Sequence, residues 1–287
     1  MRDQLVGIIL VVPMLLTIIS ITLFPLIFSY YMSVHNMTVL NFWNPIFVGV
    51  DNFVKALSSS DFWASVRFSV LYMLVTASAE LLLGLFLSLF LERTMKGKRL
   101  VVSLILIPMA IAPALFGIMI KLMLNEFIGL IPYLLRQIGI RMHFFSDFPI
   151  VFTVLVVTDM IQWTPFVFII LYAALHSLPR EPIEAAYIDG ASGWQVIRYV
   201  KIPMLWKIIA LVTVFRVMDA LRAFDTIYVL TGGGPGISTT TVSINIFKVA
   251  LIRGDFGLAA ASTVIFFYLS MVVLSFGLRT LRRGGVL

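Results

Sequence analysis

Long apolar runs alternate with short polar breaks along this chain, and the runs dominate. Six blocks stand out, at about Leu5–Tyr31, Ser65–Leu91, Val101–Leu124, Ile150–Leu175, Leu205–Leu230 and Leu258–Leu281. A helix needs about 20 mostly apolar residues to cross about 30 Å of hydrocarbon, and each block meets that length. The pattern therefore predicts an all-α integral membrane protein of six transmembrane helices, folded as a single transmembrane domain over residues 1–287. The first block is too long for the apolar core of a signal peptide, and its Pro13 and Pro25 do not resemble a small-residue cleavage site. It reads as a retained span.

Composition agrees with that pattern. Hydrophobic residues make up 61% of the chain and charged residues 12%, whereas a soluble domain carries about 25% charged residues. The absence of cysteine excludes disulfides and thiol catalysis. The net charge of +7 raises the question of nucleic acid, but no basic run with interleaved aromatics accompanies it. In a membrane chain such an excess marks the cytoplasmic flanks of the spans. Arg2, Arg93, Lys96, Lys98, Arg99, Arg180, Arg198, Lys201, Lys207, Arg279, Arg282 and Arg283 fall at the termini and in the loops after the second and fourth blocks. The opposite loops hold only Lys55, Arg136, Arg141, Lys248 and Arg253, with Arg67 at their edge. Both termini are therefore expected in the cytoplasm, with the chain in the inner or plasma membrane.

The break between the fourth and fifth blocks, LPREPIEAAYIDGASGWQVIRYVKIP (Leu178–Pro203), is polar yet reads as helical. Pro182 suits a first helical turn, where no N–H is needed. Ile183 to Ile188 can form a short helix, with Gly190 to end it. Ser192 and Gln195 have the spacing of a capping box for a second helix, Gly193 to Val200. Pro203 is expected to stop that helix before the fifth span. Ala185, Ala186, Gly190 and Ala191 offer a small-residue surface, edged by the acids Glu181, Glu184 and Asp189. Two uses fit: an amphipathic interfacial tie between spans, or a docking knob for a cytoplasmic protein.

The knob has a close parallel. Glu184-Ala185-Ala186, Gly190 and Ile202-Pro203 resemble the EAA signature of binding-protein-dependent ABC importer permeases. FDTIYVLTGGGPGISTTT (Phe224–Thr241), DFGLAAAST (Asp255–Thr263), DNFVKAL and FWASVRFSVLY are similar to segments of sugar permeases of the maltose and glycerol-phosphate type, on the larger-subunit branch. The resemblance covers nearly the whole chain. It departs in the first external loop, about Met32–Ala64, which is short where some members carry a large external domain.

The resemblance implies a type I ABC importer permease fold. Its coupling helix, carrying Glu181, Glu184, Ala185, Ala186, Asp189, Gly190 and Ala191, would insert into a cytoplasmic ATPase subunit. It also implies a sister permease, two ATPase subunits, an external solute-binding protein and a sugar substrate. ATP and magnesium would belong to the ATPase partners, with no cofactor on this chain. The loop of Thr231, Gly232, Gly233, Gly234 and Pro235 would lie at the external mouth.

Two other motifs fail on chemistry. GGGPG lacks the Lys-Ser or Lys-Thr that a phosphate loop requires, so the glycines are read as shaping a tight loop and the chain as lacking an ATPase site. GASG (Gly190–Gly193) resembles the serine motif of intramembrane proteases, but a nucleophilic serine needs a base within reach. His35 and His143 fall outside the predicted spans, and His176 precedes the serine. No metal-ligand spacing occurs.

Polar groups inside spans are functional candidates. Asp159, Gln162, Trp163 and Phe166 follow i, i+3, i+4, i+7 spacing and share one helix face. The carboxylate and amide could bond hydroxyls while the rings stack on a sugar. In the fifth block Arg216, Asp219, Arg222 and Asp225 alternate in sign every three residues, a spacing that slips about 60° per step and winds around the helix. Neighbours are expected to pair, Arg216 with Asp219 and Asp219 with Arg222. Asp219 and Arg222 are assigned to the pathway and Glu80 to a structural partnership with one of the arginines. The resemblance places substrate contacts on Asp159, Gln162, Trp163 and Phe166, and on Asp219, Ala220 and Ala223. The competing function, an ion-coupled secondary transporter using the carboxylates of Asp159, Asp219 or Glu80, leaves the polar island unexplained and finds no internal halves in support.

Overall fold

The structure is a computed structural model that describes residues 2–92 and 96–283. Arg93, one of the cations used above for orientation, lies outside the described residues, as do the side chains of Arg2, Arg282 and Arg283. Almost every element is helical. Helix α1 (Arg2–Ser33) leads through a two-residue ribbon, β1 (His35–Asn36) with β2 (Ile46–Phe47), to α2 (Asp51–Ser58) and the long α3 (Ser60–Glu92). Next come α4 (Lys98–Leu106), α5 (Pro113–Met123), α6 (Leu130–Gln137) and α7 (Phe148–His176). Two short helices, α8 (Glu181–Ile188) and α9 (Gly193–Val196), precede α10 (Ile202–Leu221). The chain ends in α11 (Asp225–Thr231), α12 (Val242–Phe247) and α13 (Phe256–Arg283).

Among the described residues, four helices are long and apolar enough to cross a membrane: α3, α7, Val11–Ser33 of α1 and Phe256–Arg279 of α13. The other two predicted blocks are each broken. In the third, Lys98–Ala110 and Pro113–Met123 meet at a bend of 99°. Pro113 opens α5 and cannot donate to the preceding turn. In the fifth, α10 ends at Leu221 and α11 starts at Asp225, with Phe224 out of helical geometry (φ −137°, ψ −65°). Backbone freed inside an apolar medium must find partners within the protein. Ser243 Oγ donates to the Arg222 carbonyl at 3.1 Å and Thr241 Oγ1 to the Ala223 carbonyl at 2.9 Å.

The expectation that Pro203 ends the second short helix is not met. Helix α9 runs through a single π turn, Ile197–Lys201, directly into α10, with Pro203 in the first turn. In that turn the N–H of Ile202 bonds Ile197, five residues back. The wider turn relieves the clash a proline ring makes with the carbonyl four residues earlier.

Two compact units divide the chain, Met1–Trp63 with Asn245–Leu269, and Ala64–Ile244 with Ser270–Leu287. In the first, the Asn52 side chain donates to the carbonyls of Ser33 (3.0 Å) and His35 (2.8 Å), pinning α2 to the end of α1. Asp255 Oδ1 accepts from Leu258 N at 2.9 Å, an N-cap for α13. These bonds give DNFVKAL and DFGLAAAST a structural use.

In the second unit, two apolar clusters lie along α7. One joins Phe68 and Tyr72 of α3 to Val151, Leu155 and Val156 of α7, Ile227 and Leu230 of α11 and Ile244. The other joins Val167, Leu171 and Leu175 of α7 to Leu205, Ile209 and Val212 of α10, with Leu81, Leu85 and Leu89 of α3 packed against it. Asp159 of α7 lies between these two clusters, and Arg216 of α10, with Glu80 of α3, meets it there.

Candidate functional site: a polar hollow and an exposed helical knob

Arg216 of α10 is 2% exposed and meets three carboxylates. Its Nε and Nη2 donate to the two oxygens of Glu80 on α3, at 2.5 and 2.9 Å. Nη2 also donates to Asp159 of α7 at 3.1 Å, and Nη1 to Asp219 at 2.6 Å. The guanidinium lies 5.1 Å from the centre of the Trp163 ring, within cation–π range. Glu80 and Asp159 are buried, while the Asp219 side chain is 53% exposed. A buried charge is tolerated only where partners replace water. Three carboxyl groups around one guanidinium replace it.

Asp159, Asp219 and Trp163 of this cluster line a hollow of about 320 Å³, while Arg216 and Glu80 stand behind them. The walls come from Tyr72 of α3, Asp159 and Trp163 of α7, Asp219 and Ala220 of α10, the break Arg222–Phe224, Asp225, Thr226 and Ile227 of α11, and Pro113. Six of the residues proposed from sequence for substrate meet here: Asp159, Trp163, Asp219, Ala220, Arg222 and Ala223. Gln162 and Phe166 do not line it. Gln162 is buried, and its Nε2 donates at 3.0 Å to the carbonyl of Ile111, which the bend between α4 and α5 leaves without a helical partner. Phe166 packs against the second apolar cluster.

The expected pairing of Asp219 with Arg222 is replaced. Asp219 turns to Arg216, and Arg222 Nε donates instead to the Met218 carbonyl at 3.1 Å. The helix unwinds at Arg222, so the register that would bring the two together ends there. Tyr72, Phe224 and Thr226 were missed in sequence. All three are apolar or weakly polar members of runs, and only the two breaks turn them to one space.

The loop after α11 is shaped as the glycines suggest. Gly232, Gly233 and Gly236 have φ of 61°, 91° and 59°, a region that favours glycine. Hydroxyls complete it: Thr239 Oγ1 donates to the Gly234 carbonyl at 2.6 Å and Thr240 Oγ1 to that of Gly233 at 3.0 Å.

On the opposite flank, α8 and α9 form the knob. Pro182 sits in the first turn of α8, and Gly190 follows its end with φ 84°. Ser192 Oγ accepts from Gln195 N at 3.4 Å while Gln195 Oε1 accepts from Ser192 N at 2.7 Å, so the capping box is formed. Ser192 is thus engaged as a cap, and His176 is held by the Tyr172 carbonyl at 2.8 Å. Glu181, Glu184, Ala185, Asp189 and Gly190 are exposed, with Ala186 and Ala191 half-buried. Beside them stand Ile188 (85% exposed), Trp194 (65%) and Tyr199 (69%). Those large apolar side chains were not singled out in sequence, where they merge with the greasy background. An apolar group of this kind, rimmed by acids, marks an interaction surface.

Residues 80–283 match the family described as binding-protein-dependent transport system inner membrane component. The trehalose/maltose transport system permease protein MalF of Thermococcus litoralis is 33% identical over 284 residues, covering 99% of this chain and 95% of that one. The trehalose transport system permease protein SugA of Mycobacterium tuberculosis is 29% identical, covering 93% and 85%. Among solved structures, a chain of a bacterial ABC transporter involved in the import of the acidic polysaccharide alginate superposes with a TM-score of 0.86 at 21% identity, covering 98% and 96%; that likeness is one of fold. With its apolar spans, broken helices and exposed EAA knob in place, this chain belongs to the binding-protein-dependent transport permeases, the inner-membrane components of ABC importers.

Proposed function

We propose that this multi-pass membrane protein is one of two permease subunits of an ATP-driven importer for a neutral di- or oligosaccharide. One observation carries the reading. The same two helices, α7 and α10, hold the polar hollow and lead without interruption to the exposed knob: α7 ends at His176 just before α8, and α9 passes straight into α10. A ligand chamber and a docking surface on shared struts suit a machine driven from outside the chain.

The hollow suits a sugar. Trp163 and Phe224 offer ring faces, and Asp159, Asp219 and Asp225 can accept from hydroxyls. Relatives named for trehalose and maltose support that class. On this reading α8 docks into a cytoplasmic ATPase subunit, and both termini are cytoplasmic. ATP and magnesium are held by two ATPase partners, while a sister permease completes the pathway. The loop Thr231–Thr241 faces an external solute-binding protein. Membership of this family weighs against the ion-coupled transporter, since the family's transport depends on a binding protein.

The test is gentle purification of the tagged chain from its native membrane, followed by mass spectrometry. Stoichiometric recovery of an ATPase and a second permease is expected. A folded chain that purifies alone would overturn the reading.

A further inference from the structure

Lys201, the last residue of the π turn between α9 and α10, is only 8% exposed. Its Nζ lies 2.6 and 2.7 Å from the two carboxylate oxygens of Glu92, the last residue of α3, 109 positions earlier. The Glu92 carbonyl accepts in turn from Lys98 Nζ at 3.4 Å. Lys98 Nζ also stands 5.0 Å from the centre of the Tyr172 ring and 3.5 Å from His176 Nε2. The ends of α3 and α7 and the starts of α4 and α10 thus meet around Glu92, α10 at its carboxylate and α4 at its backbone carbonyl, next to the knob, whose α8 packs on the π turn.

A second ion pair joins α3 and α10 further along, Glu80 with Arg216, behind the Asp159 and Asp219 that line the hollow. The two pairs are twelve residues apart on α3 and fifteen on α10, in opposite chain directions, as for antiparallel helices. At 1.5 Å rise per residue the pins stand about 18 to 22 Å apart. An apolar groove of about 480 Å³ runs beside this joint and past the Arg216 pair, lined by Leu74 and Leu81 of α3, Trp206 and Val217 of α10, and Val273 and Gly277 of α13. Leu81, Leu85 and Leu89 of α3 pack between the pins against the cluster of Leu205, Ile209 and Val212, and the ion pairs fix the register of the two helices at both ends.

We propose that Glu92 and Lys201 form a pin that makes α3 and α10 one lever, so that displacement of the knob reaches Arg216 and, through it, the Asp159 and Asp219 carboxyl groups that line the hollow. Glu92 and Lys201 are positioning residues, distant from substrate. The inference rests on the reading of the chain as an ATPase-driven permease. Removing the pin leaves the knob's outer surface intact, so an ATPase still docks and hydrolyses ATP. What fails is the transfer of its motion.

The chain has no cysteine, so an introduced thiol is the only one it carries, and its label is read on this chain after the subunits are separated. Ala223→Cys places one thiol in the hollow wall. The whole complex, in lipid nanodiscs, is labelled with a maleimide with and without ATP and vanadate. With the pin intact, trapping is expected to change the labelling rate at least about fivefold, the low end of ordinary coupling. Lys201→Met or Glu92→Gln should abolish that change while ATP hydrolysis persists, and the exchange Lys201→Glu with Glu92→Lys should restore it. Glu92→Gln, which keeps size and a hydrogen-bonding group, serves if Lys201→Met does not accumulate. A nucleotide-dependent change that survives in Glu92→Gln, or an exchange no better than the single variants, would overturn the pin and leave the importer reading standing. Failure to recover any ATPase with the unsubstituted chain would instead remove the reading on which the pin rests.

Discussion

Arg216 is where the residue-scale energetics concentrate. Its guanidinium answers Glu80, Asp159 and Asp219, from three helices, and two of those carboxylates are buried. Breaking a buried ion pair by removing one partner costs about 3–5 kcal/mol, because the other charge is stranded. Arg216→Met is therefore expected to lower the thermal stability of the purified protein strongly, read as loss of monodisperse protein on heating. A variant as stable as the parent would show that the carboxylates do not depend on the guanidinium. Trp163 behaves differently. It is half-buried, stacks over Arg216 and presents a ring to the hollow. If sugars bind there, Trp163→Ala should raise the apparent KM for transport about tenfold, equivalent to about 1.4 kcal/mol. An unchanged KM in a folded variant would take Trp163 out of the site.

At the scale of elements, the breaks matter more than the helices. The bend between α4 and α5 exposes the Ile111 carbonyl, and Gln162 is spent on it. The interruption between α10 and α11 opens the wall of the hollow, and the hydroxyls of Thr241 and Ser243 stabilise it. Gly117 allows α5 and α11 to approach: a Cβ there would meet Val229 at 3.3 Å and the Thr226 backbone at 3.4 Å. The knob is held by local bonds, chiefly the capping box of α9. Ser192→Ala removes one cap bond, worth about 1 kcal/mol. Transport is expected to persist, slightly weakened. Complete loss of function in a normally assembled complex would point back to a chemical role for the serine.

For the whole molecule, the knob is the exposed surface proposed to dock an ATPase subunit. Ile188 and Trp194 supply apolar contact, and Glu181, Glu184 and Asp189 set the sign of its rim. Glu184→Lys reverses charge at an exposed position with little effect on folding. It should lower the yield of ATPase recovered with the chain, measured by quantitative mass spectrometry against the parent. Normal recovery together with normal transport would sink the assignment of Glu184 to the docking surface.

The long apolar blocks, the two-helix island and its capping box could be read directly, because hydrophobic length, caps and turns depend on residues within a few positions of each other. The glycine-shaped loop after α11 was legible for the same reason. Tertiary structure decided what is separated in sequence. Glu80 and Asp159 lie 136 and 57 positions from Arg216. Helical periodicity states which face a residue shares, but not which helix faces it. That is why the face Gln162 shares with Asp159 and Trp163 could be read from spacing, while its bond to the Ile111 carbonyl at the bend could not. It is also why the Lys201–Glu92 pair left no trace in the pattern. The breaks in the third and fifth blocks were hidden likewise: their prolines and charges permit a break, and only side chains from other helices that take up the freed carbonyls make it stable in an apolar medium.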